Sequence, residues 1–220
     1  VKPTRLVSLL AAMIMACGIS SAQQGGNTSA PISEAEVATE QIPPDVLAAA
    51  VAAVGKLGDE VVLGHYQVAV DRMNPLWKER TAQRMGGKEV MEKQLAGVAA
   101  QMVQQGISMI SCKPAGNPIP YEVAPGRKVV KENGADVEKL VYTKWLVLVP
   151  TITQFRIFPP GAARAIVINS TSFQAAVCDK GKNDWTFIDG ANLNAGDLRG
   201  IFSTLPKDMK LPPVKKQEVR

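Results

Sequence analysis

Apolar side chains recur at two different periods along this chain. Leu47, Ala50, Val51, Val54 and Leu57 fall at helical spacing behind Pro43, Pro44 and Asp45, a start signal that makes Asp45 the N-cap. Gly55 and Gly58 weaken that helix, so it is expected to restart at Asp59 and stop near Gly64. A short helix is expected over 66–73. Asn74 and Pro75 break it, and Pro75 can occupy the first turn of the next helix, over 76–85. Gly86 and Gly87 interrupt the chain again. Residues 88–105 give the clearest helix: Met91, Leu95, Val98 and Met102 share one face, and Gly106 ends it.

Beyond Gly106 the pattern is that of strands. Residues 107–112, 137–149, 151–158 and 165–178 are rich in β-formers, and Val167, Phe173 and Val177 share one parity. Asn117-Pro118, Pro125-Gly126 and Pro159-Pro160-Gly161 mark turns. Residues 179–183 form another turn, from which 184–189 returns as a partner strand. Helices first and an antiparallel meander afterwards predict an α+β domain rather than a βαβ repeat. No internal repeat is present.

Helices ahead of a curved antiparallel sheet, closing on a hairpin that ends in Trp185-Thr186-Phe187-Ile188-Asp189-Gly190, resemble the NTF2-like superfamily. That group includes the SnoaL-like and ketosteroid-isomerase-like cones. The run Gly64-His65-Tyr66-Gln67-Val68-Ala69-Val70 resembles the turn into the second helix of such domains. Asp179-x-Gly181 followed by Trp185 is similar to the final hairpin of exported members of unassigned function. The resemblance covers residues 45–205 and implies N-terminal helices packed across a cone-shaped sheet. Members are enzymes, ligand carriers, partner-binding modules or accessory domains, so the fold alone does not choose among them. The resemblance also implies that a homodimer could form by face-to-face pairing of sheets.

Residues 1–22 change the compartment. Lys2 and Arg5 precede an 11-residue, mostly apolar run, 6–16, and no acidic residue appears before Glu34. This is the layout of a secretory leader. A membrane-spanning helix needs about 20 apolar residues, so the run is too short to span. Two processing readings stand. Cleavage after Ala22 would leave Gln23 first. Alternatively, Ile14-Met15-Ala16-Cys17 resembles a lipobox, and Cys17 would carry the lipid that tethers the protein to a membrane. The expected product is exported: periplasmic, membrane-anchored as a lipoprotein, or secreted. Residues 23–44 read as a flexible linker, 45–205 as the domain and 206–220 as a disordered tail. The tail holds five basic and two acidic side chains.

Charge excludes one partner class. The formal charge of +5 falls to +3 when Lys2 and Arg5 leave, which is too small to support nucleic-acid binding. With Cys17 set aside, Cys112 and Cys178 remain. In an oxidising compartment they read either as a disulfide or as two separate buried thiols. One histidine and no Cys-x-x-Cys leave no zinc pattern, and no cofactor motif is present.

An isomerase or dehydratase in such a cone needs a base and acidic donors facing one cavity. The catalytic candidates are Tyr66 as a phenol donor, Asp71 as a carboxylate, and His65, which also reads as an exposed helix-start residue. Ligand-binding candidates are Trp77, Tyr142 and Trp145, with Trp185 as a further aromatic at a pocket mouth. Tyr142, Lys144 and Leu146 share one strand face while Thr143, Trp145 and Val147 share the other, and which face is inner depends on register. The expectation is an exported, non-catalytic binding or accessory module of the bacterial envelope. Its partner would be a small molecule or another envelope protein. The alternative is a small-molecule isomerase or dehydratase with its site in the cone.

Overall fold

A computed structural model of the chain describes residues 42–159, 161 and 163–219. The expected leader, Cys17 and most of the expected linker lie outside these residues.

The chain opens with α1 (Pro44–Val62), uninterrupted by its glycines. Pro43 takes the N-cap position with extended backbone and makes no side-chain cap bond. Asp45, expected as the cap, instead sits in the first turn, where its carboxylate faces the positive end of the helix dipole. Tertiary packing explains why the glycines do not break α1. A Cβ at Gly58 would collide with the carbonyl oxygen of Cys112 and lie 3.2 Å from its sulfur, so at Gly58 α1 approaches the backbone of β1 too closely for a side chain. Next come α2 (Gln67–Asp71), α3 (Pro75–Arg84) and α4 (Lys88–Gln104). Asn74 caps α3: its side-chain oxygen accepts from the Trp77 amide at 3.3 Å, with Pro75 at the first helical position.

Six antiparallel strands follow: β1 (Ile107–Pro114), β2 (Ile119–Glu132), β3 (Ala135–Ile157), β4 (Ile166–Asp179), β5 (Thr186–Asp189) and β6 (Lys215–Val219). The helix α5 (Ala195–Ile201) lies between β5 and β6. The sheet is built on one long pair, with residues 144–157 of β3 running against 166–179 of β4. β1 and β2 follow each other along the free edge of β3, and β5 and β6 do the same along β4. The sheet is not closed. The protein is therefore an α+β protein.

β3 runs straight through Pro150, where two separate strands were expected. Pro150 falls where the neighbour of β3 changes, because β2 pairing begins at Leu148 and β1 pairing ends at Thr151. The Pro150 carbonyl accepts from the Ala115 amide at 2.8 Å, on the side of that gap. Amide and carbonyl of one strand residue point to the same side, so the missing N–H falls where no ladder partner stands. The expected turn at Pro125-Gly126 is also strand. The reversal comes instead at Asn133 (φ 50°) and Gly134 (φ 83°), between paired Glu132 and Ala135. Two consecutive positive φ values give a hairpin turn whose twist matches the strands. Pro120 and Pro125 are tolerated because β2 is an edge strand.

Both faces of the central sheet are buried. Trp145, Val147 and Val149 of β3 and Ala176 and Cys178 of β4 pack under α1 with Ala50, Val54 and Leu57. Leu146 and Leu148 of β3 and Phe173, Ala175 and Val177 of β4 pack beneath Leu198, Phe202, Leu205 and Met209. Within the run 206–220, expected to be disordered, the described residues 206–219 supply part of that second cover through Met209 and then add β6 to the edge of β4. Every β6 side chain is exposed. Backbone pairing rather than apolar burial holds the strand, so its polar composition gave no sign of it.

Candidate functional site

Past residue 149, the sheet face under α1 changes from apolar to polar. Thr151 and Thr153 continue the parity of Trp145, Val147 and Val149 on β3, and Ser170, Ser172 and Gln174 continue that of Ala176 on β4. Register places Thr151 opposite Ser172 and Thr153 opposite Ser170, with Cys112 of β1 on the far side of Thr153. One rung back, Gln174 stands between Val149 and Asp189 of β5. These side chains form a polar floor three strands wide.

Thr151, Ser170 and Ser172 are buried, Thr151 to 3 % exposure and Ser172 to 9 %. The Thr153 hydroxyl donates to the Cys112 sulfur at 3.4 Å, and the Gln174 amide donates to Asp189 Oδ1 at 3.3 Å. The Ala191 amide reaches the same oxygen at 3.4 Å. Among the described residues, the Ser172 hydroxyl has no hydrogen-bond partner. Burial pushes the Cys112 thiol up, and nearby Asp189 and Asp59 push it further, against the Thr153 hydrogen bond and Lys113. A thiol so placed stays protonated and is a poor nucleophile. Asp189 as a residue is exposed, yet the protein packed around its carboxyl raises that group above the ordinary range, opposed by the Ala191, Gln174 and Gly190 contacts.

The residues singled out in the sequence fall elsewhere. His65 is exposed, with Nδ1 2.7 Å from Glu60 Oε2. Asp71 is exposed and accepts from Gln67 at 2.9 Å, while Arg72 pairs with Asp184. Tyr66 is half-buried ahead of α2. Register settles the faces of β3. Trp145 lies under α1, on a rung with Glu122 and Cys178, and Tyr142 has the opposite parity, that of Leu146 and Leu148. The Lys180 ammonium sits 4.3 Å from the centre of the Trp145 ring and is ion-paired with Glu122, whose side chain is 7 % exposed. Trp77 packs on the second core, with the Arg84 guanidinium 5.6 Å from its ring centre. Trp145 and Trp185 belong to one core and Trp77 to the other, so the three do not line one pocket mouth.

Cys112 and Cys178 are both free, which corrects the disulfide reading. Cys112 is opposite Thr153 and Cys178 opposite Trp145, eight residues apart on β3. At about 3.3 Å per residue that is roughly 26 Å, against about 5.5 Å between bridged Cα atoms.

An open depression of about 420 Å³ lies between α3 and α5, lined by Leu76, Glu79, Arg80, Gln83, Gly200 and Ile201. Arg80 and Arg84 beside it are both drawn to the buried Asp197 carboxylate, at 3.9 and 2.7 Å, and so staple α3 to α5. Among the described residues, no His, Cys, Asp and Glu side chains gather into a metal-holding group. Also among them, no helix is long and apolar enough to cross a membrane.

The polar floor was missed in the sequence, although a sign of it was there. Asn169-Ser170-Thr171-Ser172 interrupts a strand whose flanks are apolar. Two of those hydroxyls occupy the parity that is core further along the strand. No protein-family model, curated protein or solved structure matches the chain.

Proposed function

We propose that the chain is an exported, non-catalytic binding module of the bacterial envelope, built on the NTF2-like plan, whose ligand sits on the polar floor under α1. Export is supported by Lys2, Arg5 and the apolar run 6–16, with Cys17 as anchor or Ala22 as cleavage point. The NTF2-like plan is supported by the order of helices before an antiparallel sheet and by α1 packed on one face of it.

The observation that carries the binding reading is the Ser172 hydroxyl, buried opposite Thr151 and next to the Thr153–Ser170 rung, and without a hydrogen-bond partner among the described residues. Leaving a buried hydroxyl unpaired costs about 1–3 kcal/mol, which a ligand offering one hydrogen-bonding group recovers. Uncharged hydroxyl and amide neighbours suit a small, neutral, polar ligand. General acid–base chemistry needs a base within hydrogen-bond reach of a second polar group on the substrate path. Asp71 and His65 are exposed and bound to local partners instead, which favours binding over turnover.

Native mass spectrometry of the protein taken from its own source tests this. A discrete non-covalent adduct, released on denaturation, is expected. Ser172→Val should weaken its binding about tenfold, the effect of losing one hydrogen bond of about 1.4 kcal/mol. A wild-type protein free of adduct, or unchanged affinity in Ser172→Val, overturns the site. Chemical conversion of the released ligand on incubation with the protein would establish the isomerase or dehydratase reading instead.

A further inference from the structure

The depression between α3 and α5 differs in chemistry from the floor under α1 and shares no residue with it. Leu76, Glu79, Arg80 and Gln83 stand at i, i+3, i+4 and i+7, on one face of α3, and Gly200 and Ile201 of α5 complete the lining. Its volume of about 420 Å³ lies within the range of small-molecule sites, about 300–1,000 Å³.

The fold does not use up the charges of this depression. Asp197 brings one negative charge to two guanidinium groups. Its Oδ1 accepts from Arg84 at 2.7 Å and its Oδ2 from the Asn194 amide at 2.6 Å. Arg80 stands 3.9 Å from the same Oδ1, beyond hydrogen-bond range, with its side chain 35 % exposed. Arg84 therefore closes the staple, and among the described residues the Arg80 donors make no hydrogen bond. Glu79, exposed beside it, has no ion pair or hydrogen bond among the described residues. Gly200 fixes where the Arg80 guanidinium lies. A Cβ at Gly200 would collide with Arg80 Nη1 and lie 3.1 Å from Cζ and Nη2, so the guanidinium rests against bare backbone of α5. A long side chain placed in advance loses less freedom on binding.

These groups select the occupant. Arg80 can hold a carboxylate through two parallel N–H···O bonds. Glu79 repels a phosphate or a dicarboxylate and attracts an ammonium on the same molecule. The Gln83 amide can hydrogen-bond either head group. Leu76, 51 % exposed, and Ile201 offer apolar surface beside them. A carboxylate, an ammonium and an apolar side chain on one small molecule describe an α-amino acid. We infer that the depression between α3 and α5 binds a free aliphatic α-amino acid, with its carboxylate on Arg80, its ammonium on Glu79 and its side chain against Leu76 and Ile201. The inference does not depend on the ligand proposed for the floor under α1.

Isothermal titration calorimetry of the protein as its cell makes it, with L-leucine as the probe, tests the inference. Circular dichroism is the folding control. Saturable one-to-one binding is expected. L-leucinamide lacks the carboxylate and 4-methylpentanoate lacks the ammonium, so each should bind at least tenfold more weakly, and inorganic phosphate should not compete. Arg80→Gln should weaken leucine about tenfold or more. Gly200→Ala keeps every charge but displaces the guanidinium, and should weaken leucine similarly. Glu79→Gln changes an exposed position without a partner in the fold, so it remains informative if Arg80→Gln loosens the contact between α3 and α5. It should weaken leucine about tenfold and leave 4-methylpentanoate unchanged. Ser172→Val should leave leucine binding as it was, which separates this site from the floor. Absence of saturable leucine binding overturns the inference. So does 4-methylpentanoate binding as tightly as leucine, leucine binding unchanged in Glu79→Gln and Gly200→Ala, or leucine binding lost in Ser172→Val.

Discussion

β3 passes through two environments while remaining one strand. Residues 145–149 are buried on both faces, between α1 on one side and the α5 region on the other. Residues 135–139 are exposed or only half-buried, although their pairing with β2 is as regular. Pairing with β2 is thus shared by both stretches, but residues 145–149 also pair with β4 and are covered above and below, while among the described residues 135–139 have neither. Pairing therefore fixes the path of this strand, while side-chain burial fixes where its stability resides. Backbone hydrogen bonds exchange for bonds to water with modest net gain, whereas buried apolar area contributes about 25 cal/mol per Å².

The largest expected effect tests that contrast directly. Phe173 is fully buried in the second core, opposite Pro150 of β3. Phe173→Ala should cost about 3–5 kcal/mol through lost transfer energy and the cavity left behind. Val129→Ala, in the exposed part of the β2–β3 hairpin, should stay within about 0.5 kcal/mol. Urea denaturation of both variants at one low protein concentration measures the difference. A cost at Val129 approaching that at Phe173 would mean that this end of the hairpin is covered, and the contrast would fail.

How much of this was legible in the sequence follows from the same distinction. The helices show as periodic apolar positions because each buries one stripe, and α3 was readable down to Asn74 and Pro75. The central strands were readable as β, but not their faces. Burial on both sides removes the alternation that reveals an inner face, as at Trp145 and Leu146. Pro150 and Pro125 read as breaks because a proline is compatible with a strand only where no ladder donor is needed, and that depends on which neighbour is present. Asn133-Gly134, a dipeptide suited to a two-residue hairpin loop, was missed. β6 was invisible because an edge strand can be held by backbone alone. The polar floor was only half visible: its residue types stood out, but their common face required register.

A second test uses one substitution at two helix positions and expects opposite signs. Gly58 of α1 touches Cys112, and Gly97 of α4 has open space where a Cβ would go. In Gly58→Ala the added methyl collides with the strand backbone and should destabilise by about 1–3 kcal/mol, partly offset by better helix propensity. In Gly97→Ala propensity acts alone and should stabilise by about 0.5–1 kcal/mol. Thermal melts of the two variants decide it. A stabilised Gly58→Ala would show that α1 can lift from β1 at little cost, and the close packing of this face would no longer explain why the helix keeps its glycines.

The smallest effects lie in two aspartates of the sheet, Asp179 ending β4 and Asp189 ending β5 opposite Gln174, whose environments drive their carboxyls in opposite directions. Hydrogen bonds from Lys144 and Lys182 hold the Asp179 carboxyl below its ordinary value. The surrounding protein raises that of Asp189. A depressed carboxyl contributes stability that is present above its unfolded pKa, about 3.9, and is lost as pH falls through the folded value. A raised one contributes stability that is complete below the unfolded pKa and is lost as pH rises through the folded value. Asp179→Asn should therefore be less stable than wild type at neutral pH, with the gap closing in acid. Asp189→Asn should be more stable at neutral pH, and its gap should close in acid from the other side, since the amide oxygen can still accept from Ala191 and Gln174. Stability curves from pH 3 to pH 7 read both signs at once. A destabilised Asp189→Asn at neutral pH would show that the Ala191, Gln174 and Gly190 contacts outweigh the surrounding burial. The Asp189 end of the polar floor would then hold a stable anion, and the neutral ligand proposed for it would give way to one carrying positive charge.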